Sequence, residues 1–448
     1  MQGRERKIHL VGVAGVGMSA LAQALRLQGY AVSGSDRAHD AAQNEDVIHK
    51  LRCAGVAMAP QDGSGVTPGT ECVVVSTAIE GDNADLRAAA AAGVPVRHRA
   101  EMLAELVAGK RGIAITGTSG KTTVTGLIGW LLQELGADPA VVNGGELINW
   151  CAADRLGNVR AGRSDCWVFE ADESDRSLLR FHPDWAVITN MSADHFDAAE
   201  TIRIFEEFRG QVRCGVVDPL CPDGSFRPRL ERTTSTFAYG GCEFRVPVPG
   251  AHNAENALQA ILLCERLGYP LGRVAAALAT FRGIRRRLEV VVEVRGVAVI
   301  DDYAHNPAKI EAAWRTLAPF YERLRVLWRP HGFRPLAQMR EALTALFARL
   351  CRPEDRLVLL PVYFAGGTAQ RSVTSAEFAY DLAARGVPVQ YVASYAAAEG
   401  CLCDAAAPGT AIVCMGARDP ELPVCARRVA ARLQGLAGLA GEDGKSAF

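Results

Sequence analysis

Long apolar runs are missing from this chain of 448 residues. No stretch approaches the roughly 20 apolar residues needed to span a bilayer, although 49% of the residues are hydrophobic, so no membrane partner is expected. Charge of one sign is missing too. Lys and Arg number 49 against 50 Asp and Glu, leaving a net charge of −1, and no basic stripe marks a nucleic-acid surface. Paired cysteines are absent. The 13 cysteines never fall in C-x-x-C spacing, Cys401 and Cys403 forming only an isolated C-x-C. Cys72, Cys166, Cys264 and Cys414 lie inside apolar runs, where a reduced cysteine is a small hydrophobe, so neither a disulfide framework nor a thiolate metal site is expected. The start, MQGRERKIHLVGVAG, leads into a strand and a glycine turn rather than a cleavable apolar core, and a soluble, cytoplasmic chain follows as the expectation. No internal repeat is evident. The length exceeds what one core supports and predicts two to three domains.

What is present is organised around Arg111 to Trp130, RGIAITGTSGKTTVTGLIGW. Gly112–Ile115 reads as a buried strand. Gly117, Thr118, Ser119, Gly120, Lys121, Thr122 and Thr123 follow, then a helical segment through Leu135. Strand, glycine turn and helix make a phosphate cradle, because N–H groups at the helix start and the helix dipole both favour an anion. Lys121 would neutralise the β- and γ-phosphates of a nucleotide and the Thr122 hydroxyl would face a magnesium ion. Ile115 stands where the usual pattern has its first glycine, so the loop is a shortened G-x-x-G-K-T-T.

Residues 1–108 alternate strand and helix. The turn after Ile8–Val13 carries Gly12, Gly15, Val16, Gly17, Met18 and Ser19, and the next strand ends in Ser35-Asp36. A glycine turn followed about twenty residues later by an acid suits either a nicotinamide cofactor or another nucleotide diphosphate. Residues 109–288 form the second unit. Trp167–Phe169 delivers Glu170, with Asp172, Glu173 and Asp175 close behind: magnesium ligands beside a phosphate loop, or a solvated acidic loop. Trp185–Asn190 then leads to Asp194, His195 and Asp197, at a strand end where ligands of open α/β sheets gather. In PGAHNAENAL, His252, Asn253 and Asn256 open a helix. The two amides suit an adenine edge, or Asn253 simply caps the helix. Residues 289–448 again alternate, with DDYAHNP (Asp301–Pro307), Pro330-His331 and Gly416-Ala417-Arg418-Asp419 at strand ends, and a frayed tail is expected from about residue 434.

ITGTSGKTT, EADESD, TNMSADHFD, PGAHNAENAL, GIRRRLE and DDYAHNP, in that order, resemble the ATP-dependent muramyl ligases, from about Lys7 to Leu433. HLVGVAGVGMSALAQAL and VPVRHRAEMLAEL resemble the alanine-adding branch. The resemblance implies a three-domain α/β fold: a Rossmann-like UDP-sugar-binding domain, a P-loop ATPase-like central domain, and a Rossmann-like C-terminal domain that presents the amino acid. It implies that Gly12, Gly15, Val16, Gly17 and Met18, with Asp36 and Ser76, bind the UDP sugar. Lys121, Glu170, His195 and Arg286 would be catalytic, with Thr122, Glu170 and His195 holding magnesium. Gly117–Thr123, His252, Asn253, Asn256, Asp302 and His305 would bind ATP, and His331 and Arg334 the amino acid. The implied reaction activates the carboxylate of UDP-N-acetylmuramate as an acyl phosphate, which L-alanine displaces, behind a domain closure that excludes water. It also implies ATP and Mg2+ as cofactors and a monomer or weak homodimer.

Three features bear on the substrate. The segment FDAAETIRIFEEF has no lysine, in agreement with the alanine-adding and tripeptide-recycling branches. The Arg-rich stretch that usually follows Pro-His in the alanine-adding branch is replaced by Pro330-His331-Gly332-Phe333-Arg334-Pro335, leaving Arg334 to pair with a carboxylate. Between Val212 and Pro249 the second domain is short. The alternatives are therefore a tripeptide-recycling ligase or a paralogue adding another amino acid. From other classes come a nicotinamide oxidoreductase, which leaves Lys121, Glu170 and His195 unexplained, and a catalytically idle nucleotide-binding regulator.

Overall fold

The computed structural model describes residues 6–191, 197–218, 226–364, 372–404 and 406–442. It is an α/β protein built on three largely parallel sheets. The first sheet comprises β1 (Lys7–Val11), β2 (Ala31–Ser35), β3 (Ala57–Ala59), β4 (Thr70–Val75) and β5 (Val96–His98), in the order β3-β2-β1-β4-β5 and parallel throughout. The second comprises β6 (Arg111–Thr116), β7 (Ala140–Val142), β8 (Val159–Arg160), β9 (Cys166–Glu170), β10 (Trp185–Ile188) and β11 (Gly215–Val217). Its order is β11-β10-β6-β9-β7-β8, and only β8 runs antiparallel to its neighbour. Short strands β12 (Arg229–Leu230), β13 (Ser235–Tyr239) and β14 (Cys242–Val246) precede a helix over Ala251–Arg266. The third sheet comprises β15 (Glu289–Val294), β16 (Val297–Asp302), β17 (Arg323–Trp328), β18 (Arg356–Leu359), β19 (Val389–Tyr391) and β20 (Thr410–Met415). Its order is β15-β16-β20-β17-β18-β19, with β15 antiparallel.

The central strands read as unbroken apolar runs because helices cover both faces of a parallel sheet. Residues 113–116 of β6 and all six of β20 are buried. On the third sheet, one face packs Trp314, Phe347 and Phe378 from three helices. The other packs Leu402, Leu422 and Val429 from Tyr395–Asp404 and Glu421–Glu442. Cys72, Cys166, Cys264 and Cys414 are buried free thiols, as their apolar surroundings predict, while Cys53 and Cys214 are exposed. No described helix is long and apolar enough to cross a membrane. The tail departs from expectation: helix Glu421–Glu442 continues well past 434.

The chain divides into two compact units. One takes in residues up to 228 with 236–247 and 252–284, the other 229–235, 248–251 and 285 onward. The first two sheets thus share a unit, and a buried amide ties them. Asn158, between β7 and β9, donates to Val16 O (3.3 Å) and Ser19 Oγ (3.1 Å) of the first helix and accepts from Gln23 Nε2 (2.9 Å). The helix Val16–Leu27 that follows the first glycine turn is thereby pinned to the second sheet. Asn158→Ala removes these bonds and leaves a buried gap; a loss of about 1–3 kcal/mol is expected, read as a lower denaturation midpoint of the first unit, and an unchanged midpoint would show the tie to be incidental.

Candidate functional site

The carboxyl ends of β6, β9 and β10 converge on the phosphate loop. Gly117 and Gly120 adopt φ of 124° and 86°, conformations that side chains rarely tolerate. A Cβ on Gly117 would lie 2.2 Å from Thr189 Oγ1, and one on Gly120 2.6 Å from Asn256 Oδ1. The helix Lys121–Glu134 begins at Gly120 with no side-chain cap and no acid in its first turn. Its first internal bond is Val124 N to Gly120 O, so the N–H groups of Lys121, Thr122 and Thr123 precede the helical ladder. A helix start of this kind can accept an anion.

The loop is held from three sides. Thr189 Oγ1 donates to Ser119 O at 2.5 Å, while Asn190 donates to the same oxygen and accepts from Ser119 N at 3.0 Å. Gln259, on the helix Ala251–Arg266, donates to the carbonyls of Ile188 and Thr189 at 3.0 and 3.1 Å and so fixes the end of β10. Lys121 Nζ donates to Gly117 O at 2.7 Å and to Glu173 Oε2 at 2.6 Å, with Asp172 at 3.8 Å. Glu173 is buried, and Oε1 has no hydrogen-bond partner among the described residues. Burial pushes its carboxyl above the usual range against the pull of Lys121.

The acids at the end of β9 and after it each have a partner, and Glu173 is buried. Glu170 Oε1 accepts from Gly144 N at 2.6 Å, Asp172 pairs with Arg99 at 3.1 Å, and Asp175 accepts from Ser177 N at 2.9 Å. Thr122 is buried and its methyl lies against Gly145, next to the glycine on Glu170. Asn253 and Asn256 are buried on one helical face, their amides 3.5 Å apart, and His252 is exposed in the first turn. Asp194 and His195 lie outside the described residues. Asp197 is a helix cap, accepting from Glu200 N at 2.8 Å. The bracing roles of Thr189, Asn190 and Gln259 were not read from the sequence, and Glu173, read there as one of the acids beside the loop, pairs with Lys121 instead of standing open; WAVITN and EADESD, ending beside the loop, were the signals available.

At the carboxyl end of β1 a second glycine turn opens the helix Val16–Leu27, again without a side-chain cap or an early acid. The N–H groups of Val16, Gly17 and Met18 precede the first bond, Ser19 N to Gly15 O. The Met18 side chain lies in the core, which leaves its backbone to face a ligand. Gly12 has φ 74° and donates to Ser35 O. Asp36 is committed locally. Its oxygens accept from Ala14 N and Ala38 N at 2.9 and 2.8 Å, so it braces the glycine turn and caps the next helix. Ser76 accepts from Ala78 N at 3.4 Å.

In the other unit, β16, β17 and β20 end side by side. Asp302 accepts from Leu288 N and Ala304 N, both at 2.7 Å, which orders the turn rather than leaving the carboxylate open. Arg286, at φ 60°, donates to Gly416 O at 2.6 Å, lies 3.5 Å from buried Asp301 and stacks over Tyr303. Burial raises the Asp301 carboxyl to about 6. His305 packs edge-on against His331 with ring centres 4.9 Å apart. Burial, assisted by nearby cations, drops His305 to about 3 and His331 to about 4, so both rings are neutral at physiological pH. Arg334 is exposed in the first turn of the helix Phe333–Leu350. Arg329 is fastened to Asp419 at 2.6 Å and to Pro361 O at 3.0 Å, between the rings of Tyr363 and Tyr395.

The two imidazoles make this unit acid-sensitive. Their folded pKa values lie below the ordinary 6.5, so the unfolded chain binds more protons and stability falls as the pH drops from about 6.5 toward 4. Asp301 works in the opposite sense, its contribution being lost as pH rises through about 6. Replacing both rings, His305→Gln with His331→Gln, is expected to shrink the stability difference between pH 7.5 and pH 5 measured by denaturant unfolding; an undiminished difference would clear the histidines of this role.

Known proteins share this arrangement. Residues 7–111 match the Mur ligase family catalytic domain, 115–209 the Mur ligase middle domain, and 286–418 the Mur ligase glutamate ligase domain. The chain is 35% identical over 441 residues to the UDP-N-acetylmuramate–L-alanine ligase of Synechococcus sp. (strain JA-2-3B'a(2-13)), covering 92% of this chain and 89% of that one. It is 35% identical over 460 residues to the ligase of the same name from Geobacter sulfurreducens, covering 93% and 96%. The crystal structure of UDP-N-acetylmuramate-alanine ligase from Thermotoga maritima superimposes with a TM-score of 0.79 at 26% identity, over 96% of this chain and 99% of that one. The murein peptide ligase of Psychrobacter arcticus shares the fold, with a TM-score of 0.62 at 20% identity, over 96% and 98%. Phosphate loop, glycine turn and three sheets in this order are those of an ATP-dependent ligase, and the chain belongs to the Mur ligase family.

Proposed function

We propose that this chain joins L-alanine to UDP-N-acetylmuramate in peptidoglycan precursor synthesis, converting ATP to ADP and phosphate. The observation that carries the reading is the braced phosphate loop, with Lys121 held between Gly117 O and Glu173, in a chain that aligns over nearly its whole length with alanine-adding ligases. Residues 1–108 would take the UDP sugar, 109–288 the ATP and 289–448 the amino acid.

A carboxylate is a poor acyl electrophile, so its oxygen first attacks the γ-phosphorus and ADP leaves. The amine nitrogen then attacks the acyl carbon, phosphate leaves, and one amine proton is released. In the first step two anions approach each other. Lys121 and the N–H groups of Lys121, Thr122 and Thr123 would supply the opposing charge. Thr122 and Glu170 fit a magnesium ion: both border the Gly144-Gly145 turn, and such a site needs few protein ligands because water and phosphate oxygens complete its octahedron. When bound, the ion would add positive charge on the phosphates. Asn256 abuts Gly120 and would hold the phosphate turn, while Asn253 and His252 on the same helix offer the polar edge for adenine. The Gly15–Met18 turn would take the diphosphate of the UDP sugar, with Asp36 shaping that turn from behind.

His331 would line the amino-acid site, with His305 packed edge-on against it, and burial favours the neutral form of both rings. Arg334 would meet the substrate carboxylate there.

Phosphate release from ATP with UDP-N-acetylmuramate, measured against a panel of amino acids and the Ala-Glu-diaminopimelate tripeptide, tests the reading. Release with L-alanine and a product heavier by one alanine residue is expected, and Lys121→Ala should abolish it while the circular dichroism spectrum is kept. Release only with the tripeptide or another amine would move the substrate, and silence with all would leave a regulator. Arg334→Ala is expected to raise the Michaelis constant for the amino acid about tenfold, as loss of a charge-assisted bond does, with that for ATP nearly unchanged; equal effects on both would remove Arg334 from the amine site.

A further inference from the structure

The loop after β20 carries a residue that neither its backbone nor the packing explains. Arg418 sits at φ 66°, in the left-handed region that favours glycine, directly after Gly416 and Ala417. Its N–H donates to Tyr303 Oη at 3.3 Å, which fixes the loop to the end of β16. Its side chain is exposed and has no ion pair or hydrogen bond among the described residues. The contrast with its neighbours is sharp. Arg286 and Arg329, at the same sheet edge, are both spent on internal carboxylates and carbonyls. A strained, exposed and unspent guanidinium at the carboxyl end of the strand lying between β16 and β17 is placed as a ligand-binding group is placed.

The chemistry of the surroundings defines the ligand. Arg418 stands near His331, whose ring meets His305, and neither ring carries charge at neutral pH. An amino acid brings a carboxylate, which needs a fixed cation with a forked donor pair. Arg334 is the other exposed arginine of this edge. We propose that Arg418 receives the α-carboxylate of the incoming amine at the junction of β16, β17 and β20, with Arg334 as the second cation of the site. The assignment rests on the function proposed above and names the group that selects an amine bearing a carboxylate.

The test exploits the backbone. Arg418→Gly relieves the left-handed strain, so its melting temperature is expected to equal or exceed that of the parent chain. Its Michaelis constant for L-alanine should rise about 10- to 100-fold, the range for losing one charged hydrogen-bonding pair, while that for ATP stays within twofold. Arg418→Lys, which keeps the charge and loses the fork, should fall between the two. An unchanged Michaelis constant for L-alanine in Arg418→Gly, or a parallel rise for ATP, would overturn the assignment. If the parent chain ignores L-alanine but accepts another amine of the panel, the proposed substrate fails, and the same comparison with that amine decides Arg418 separately. If no amine supports release, both fall.

Discussion

The arrangement depends on where one ammonium group is held before any nucleotide arrives. Lys121 Nζ closes onto the carbonyl of Gly117 and the carboxylate of Glu173, which curls the turn tightly at the head of its helix. Two glycines allow the curl and Thr189, Asn190 and Asn256 fill the space behind it, leaving no room for a Cβ at either. Such preorganisation is what lets fixed dipoles act on a reacting phosphoryl group without reorganising. Glu173 is the buried carboxylate that pairs with Lys121, and desolvation raises its carboxyl against that pull.

All three sheets bring strand-end loops together, and in the first two the helix that follows starts without a side-chain cap. A parallel sheet brings the loops of its central strands to one edge, and helices starting there present unsatisfied N–H groups. The first sheet offers Gly15–Met18, the second Gly120–Thr123, and the third the turns after β16, β17 and β20. In the third sheet the site is dominated by side chains instead. Burial neutralises the histidines, and arginines supply the charge.

Much of this was legible in the sequence because it rests on local patterns. Gly117 to Thr123 announced a phosphate loop through glycine placement alone, and the apolar runs of β6, β10 and β20 announced buried parallel strands. What could not be read depends on residues distant in the chain. Glu173 finds Lys121 across 52 positions and Asn158 finds Ser19 across 139. Asp36 and Asp302 carried the right chemistry for ligands, yet both spend their oxygens on backbone N–H groups, a fate that depends on turn geometry rather than residue type. Arg418 stood in the sequence as one of several strand-end residues, and neither its left-handed backbone nor its exposed side chain, unpaired among the described residues, could be read there. His195 falls outside the described residues and keeps the standing that the resemblance gave it.

The distribution of thiols carries a practical consequence. Cys264 and Cys351 are driven by burial to about 12 and Cys72 to about 11, so at neutral pH they hold their protons and do not react. Cys53 and Cys214 are the exposed exceptions among the described residues, one beside the first sheet and one beside the second. Nature has thus left a pair of attachment points for maleimide dyes within the first unit, where a spectroscopic ruler could be mounted without altering a single core residue.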